Sequence, residues 1–69
     1  MQGKGYHAII VLHYSDYTIQ VTTRTCERLE QVMNMVNAYL EDIPTKHYSS
    51  LATYYYDNEA IYDTARVRD

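Results

Sequence analysis

Residues 6–23, YHAIIVLHYSDYTIQVTT, decide how this chain folds. Tyr6 to Tyr14 is apolar and β-branched, and Tyr17 to Thr23 alternates at period two. Ser15-Asp16 between them is a pair of turn formers. A tight turn there sets Tyr14 opposite Tyr17, Leu12 opposite Ile19, Ile10 opposite Val21 and Ala8 opposite Thr23. Every partner on that face is apolar or Thr, so turn and burial pattern select the same register. The other face then carries His7, Ile9, Val11 and His13 against Thr18, Gln20, Thr22 and Arg24, and it is half apolar.

Downstream of the hairpin the period changes. Leu29, Val32, Met33, Val36, Leu40 and Ile43 form a stripe at helical spacing, with Thr25 expected as N-cap and Pro44 ending the element. Leu29, Val32, Met33, Val36 and Leu40 are expected to face Ile10, Leu12, Ile19 and Val21. Leu51 to Tyr56 is aromatic and extended, Asp57-Asn58 signals a turn, and Glu59 to Val67 reads as a closing strand. Asn58 is also able to cap a short helix over the same stretch. Strand is preferred, because one hairpin leaves too little sheet to cover the helical stripe. The expected fold is α+β, a single ββαββ domain over residues 1–69 with a four-stranded, mostly antiparallel sheet and one helix on one face. Residues 1–5, holding both glycines, are expected to be a flexible N-terminus. This element order resembles the β-grasp architecture of small immunoglobulin-binding domains.

Composition narrows the function. The chain has 69 residues, 46% apolar and 22% charged, which describes an ordinary folded domain rather than a disordered tail. One Cys excludes an internal disulfide framework, and the longest apolar run, Ala8 to Leu12, is far short of a membrane span. A cytoplasmic protein with no membrane partner is expected. A formal charge of −3 argues against direct nucleic-acid binding.

No chemistry-bearing constellation emerges. His7 and His13 share a face, but six residues of strand hold them roughly 20 Å apart, too far for one ion. The acidic side chains show neither calcium-loop nor paired-carboxylate spacing. Cys26, in the expected first helical turn between Arg24 and Arg28, is either a reactive thiolate or a small core hydrophobe. No catalytic residue, metal or cofactor is assigned, and no enzymatic activity is expected.

Tyrosine is the informative residue. All nine aromatics are Tyr, and residues 39–63 hold six of them with five acids (Glu41, Asp42, Asp57, Glu59, Asp63) against Lys46 alone. Tyr combines contact area, few rotors and a polar tip, as binding surfaces favour. An acidic aromatic surface complements a basic patch on another protein. Tyr54, Tyr56, Asp57, Glu59 and Asp63 are the expected partner-binding residues; His7, Ile9, Val11 and His13 are expected to mediate self-association.

In its size, acidity, tyrosine content and lack of a catalytic constellation the chain resembles small phage-encoded inhibitors, such as anti-CRISPR and host-transcription inhibitor proteins. That resemblance implies a non-enzymatic protein that occludes a basic, nucleic-acid-binding surface of a host complex. Two other readings stay open: a self-associating structural or adaptor module, and a thiol-dependent protein using Cys26.

Overall fold

The computed structural model describes residues 5–44 and 48–68. Five elements follow in the order β1 (Tyr6–His13), β2 (Thr18–Thr22), α1 (Leu29–Glu41), β3 (Tyr48–Tyr56) and β4 (Glu59–Arg68). The strands form one sheet in the order β2-β1-β3-β4, antiparallel at every seam. The chain is therefore an α+β domain of ββαββ order with one helix on a four-stranded sheet.

The likeness to β-grasp domains ends at element order. That architecture sets its first and last strands side by side in parallel, whereas here β1 pairs with β3 and β4 lies at the outer edge. The cause is local. The crossover through α1 returns the chain to the free side of β1, and a two-residue turn then leaves β4 only the far side of β3. Asp57 and Asn58 both have positive φ, 51° and 71°, as the mirror-image turn of a two-residue hairpin requires.

The first hairpin has the register its pattern dictates, with Ile10 opposite Val21, Leu12 opposite Ile19, and the Thr23 N–H donating to the Ala8 carbonyl at 2.9 Å. The even-numbered residues of β1 point at the helix. Ala8, Ile10 and Leu12 are buried with Ala52 and Tyr54 of β3 and with Val32, Val36 and Leu40 of α1. The small side chains of Ala8, Ser50 and Ala52 are buried in the same core as the branched residues Val32, Val36 and Leu40 of α1. Full burial of Ile10, Leu12, Val32 and Val36 contributes about 1.5–3 kcal/mol each. Ile19 has the expected side but not the expected burial. It is 36% exposed, because it stands on the β2 edge while α1 packs against β1.

The helix begins three residues later than a Thr25 cap requires. Its N-cap is Arg28, whose backbone N–H donates to the Gln31 side chain at 3.1 Å. Residues 25–27 stay out of the helix because Cys26 bridges to the sheet: Tyr6 N–H donates to Cys26 O at 2.7 Å, and Cys26 N–H to Tyr6 O at 2.8 Å.

Gly5 belongs to this fold rather than to a flexible terminus. Its φ is +138°, and a Cβ there would lie 2.7 Å from Thr25 Cγ2 and 2.9 Å from the Cys26 carbonyl oxygen. Residues 1–4, and with them most of the expected N-terminal tail, lie outside the described residues, as does His47.

Candidate functional site

Pairing with β1 decides where the consecutive tyrosines of β3 point. Tyr54 lies opposite Ala8 and Tyr56 opposite Tyr6, on the helix side, while Tyr55 lies opposite His7 on the other face. This corrects the expected contact set. Tyr54 is 3% exposed and belongs to the core, tilted against Tyr62 of β4 at 5.7 Å between ring centroids. Burial pushes its hydroxyl pKa up and Tyr62 adds to the rise, with Arg66 and a hydrogen bond with Thr64 opposing. A shallow groove of about 270 Å³ runs beside it, between Met33 and Asn37 of α1 and Tyr62 of β4. Arg66 closes its end by donating to Asn37 Oδ1 at 2.8 Å.

Three expected residues do come together. Tyr56 is 41% exposed at the end of β3, Asp57 opens the turn, and Glu59 opens β4 opposite Tyr56. The Tyr56 ring leans on Tyr6 at 4.7 Å, and the Asp57 N–H donates to the Gly5 carbonyl at 3.1 Å. The turn, the end of β3 and the start of β1 thus form one fixed, acidic, aromatic tip. Asp63 is not part of it. It lies opposite Thr53 on the face away from the helix.

The tyrosine-rich, acidic stretch 39–63 is not one surface. Tyr48 and Tyr56 stand at opposite ends of β3, about 26 Å apart along the strand. Tyr48 sits with Tyr14 at 6.0 Å, and Tyr14 stacks on Tyr17 at 4.9 Å beside the first turn. Tyr48 also donates from its hydroxyl to the Leu40 carbonyl at 3.3 Å, so this second cluster caps the C-terminal end of α1. Burial raises the Tyr14 hydroxyl pKa, with Tyr17, Tyr39 and Tyr48 adding to it.

The four residues expected to self-associate share the face that α1 does not cover. The rows across it are Thr22-Ile9-Thr53-Asp63, Gln20-Val11-Leu51-Ala65 and Thr18-His13-Ser49-Val67. His7 stacks on Tyr55 at 5.0 Å and 5°, and a 3.2 Å hydrogen bond joins His13 Nδ1 to Thr18 Oγ1. Leu51, Tyr55 and Val67 belong to this face and were missed. The alternation of Leu51, Thr53 and Tyr55 along β3 is the signal that finds two of them.

Cys26 is buried in the core, with its sulfur 4.0 Å from the Arg24 carbonyl oxygen. Its place in a sheet bridge removes the helix N-terminus that was to favour a thiolate. Among the described residues no cluster of His, Cys, Asp or Glu is arranged to hold a metal, and no helix is long and apolar enough to cross a membrane. Comparison with protein-family models, curated proteins and solved structures finds no match to this chain.

Proposed function

We propose that the protein is a non-enzymatic, protein-binding inhibitor that occludes a basic, nucleic-acid-binding surface of a host complex with the tip of its β3–β4 hairpin. The observation that carries this reading is the fixed juxtaposition of Tyr56, Asp57 and Glu59, braced by the Tyr6 ring and the Gly5 carbonyl. A half-exposed aromatic beside two carboxylates supplies an anchor and a complementary charge. Holding them on a hydrogen-bonded turn means little ordering remains to be done on binding. The partner is then a protein surface rich in Lys and Arg, of the kind that holds nucleic acid, and the mechanism is steric and electrostatic exclusion.

Capture from bacterial lysate by the full-length protein tests this reading. The controls are a tip variant (Tyr56→Ala, Asp57→Asn, Glu59→Gln) and a variant of the opposite end (Tyr17→Ala, Glu41→Gln). Proteins retained by the wild type and the opposite-end variant, lost with the tip variant and displaced by heparin are the expected result. Capture that persists in the tip variant, or that heparin leaves untouched, overturns it.

A further inference from the structure

We infer that the sheet face left open by α1 docks against the same face of a second copy, making a symmetric dimer with two sheets inside and two helices outside. Ile9, Val11, Leu51, Ala65 and Val67 lie together on that face, flanked by the stacked His7–Tyr55 pair. Leu51 is 41% exposed and Val67 78%. Sheets with an apolar face are ordinarily covered by a second layer, and among the described residues no element supplies one here.

Charge selects the occupant. The three rows across the face carry one carboxylate, Asp63 at the β4 edge, and no Lys or Arg. A basic partner finds almost nothing to pair with there. Two copies of a chain of formal charge −3 repel one another, and this face lets them meet with few like charges in opposition. Size agrees. Seven residues each of β1, β3 and β4 with the five of β2 span about 410 Å², so two faces in contact cover about 800 Å² in projection. The pleated, side-chain-bearing surface is larger than its projection and approaches the roughly 1,200 Å² at which specific interfaces begin. Face-to-face sheets pack about 10 Å apart with interdigitating side chains, a geometry that branched residues at Ile9, Val11 and Val67 suit.

Sedimentation equilibrium of the full chain, in reductant and up to millimolar concentration, reads this out. The expected mass rises towards twice the monomer's 8.1 kDa. Leu51→Lys, at an exposed position, should keep the far-UV spectrum and weaken association roughly 100-fold or more, because each dimer gains two buried ammonium groups. Val67→Lys is read in the same way should Leu51→Lys fail to fold, and Tyr39→Lys on the helix should leave the dimer intact. A wild-type chain that stays at 8.1 kDa at millimolar concentration overturns the proposal, as does a folded Leu51→Lys chain that dimerises as the wild type does. The Asp57 and Glu59 variants leave the mass unchanged, so the dimer and the inhibitor reading stand or fall separately.

Discussion

The backbone N–H of Asp57 donates to the carbonyl oxygen of Gly5 at 3.1 Å, fastening the β3–β4 turn to the residue that precedes β1. Gly5 is able to present that carbonyl because its backbone occupies a positive-φ region closed to other residues, with Thr25 and Cys26 packed against it. The Tyr6–Cys26 bridge lies beside it and joins the same corner to the chain entering α1. One small corner therefore positions the turn, the tip tyrosine and the start of the helix.

Gly5→Ala should cost about 1–3 kcal/mol, since the added Cβ meets both a strained φ and a 2.7 Å contact with Thr25 Cγ2. Urea denaturation measures it. A variant with the wild-type midpoint would show that the corner relaxes freely and does not brace the tip.

Val36→Asp should leave the chain unfolded or lower its stability by several kcal/mol, because it places an unpaired carboxylate at the centre of a small core. A cooperative melt near the wild-type temperature would contradict the packing of α1 on β1.

Tyr54 and Tyr56 should separate cleanly. Truncating Tyr54 to Ala removes a buried ring and should cost about 3–5 kcal/mol of stability. Truncating Tyr56 removes a half-exposed ring and should cost no more than about 1 kcal/mol while weakening partner binding. The reverse pattern of stabilities would mean that the face assignment along β3 is inverted.

Alkaline pH should destabilise the fold through Tyr14 and Tyr54. Both hydroxyls titrate above the ordinary tyrosine value of 10.0, chiefly because burial disfavours the phenolate. The folded state holds these protons more tightly than the unfolded chain. Their contribution is therefore complete below pH 10.0 and is lost as pH rises through the raised folded values. Urea midpoints followed from neutral pH upwards should fall in that window, and the double variant Tyr14→Phe, Tyr54→Phe should flatten the fall. An equally steep fall in the double variant would assign the effect to other groups.

What was legible in the sequence follows from how many constraints met at each place. The first hairpin was legible to the residue because turn, alternation and pairing all required Leu12 opposite Ile19. The helical stripe was equally plain, but its start was not. Thr25 looks like a cap until Cys26 is seen to spend its backbone groups on Tyr6, a contact between residues twenty apart. Alternation alone placed Tyr54 and Tyr56 on one face and Tyr55 on the other. It left open which face is buried, since all three side chains are identical, and only the pairing of Tyr54 with Ala8 decides it. The acidic tyrosine surface expected from residues 39–63 was an artefact of reading along the chain. Strand β3 carries its first and last tyrosines to opposite ends of the sheet.

The proposed mechanism is tested most directly by the association kinetics of a captured basic partner with Asp57→Asn, Glu59→Gln and, separately, with Asp63→Asn. Charges at the docking tip steer encounter more than they deepen affinity. The tip double variant should therefore slow association about tenfold at low salt, with a flatter salt dependence and an unchanged fold. Asp63→Asn, on the opposite face, should leave the on-rate alone. An on-rate at low salt that the tip variant does not change would contradict the account, and the acidic hairpin tip would then be only a solvated edge.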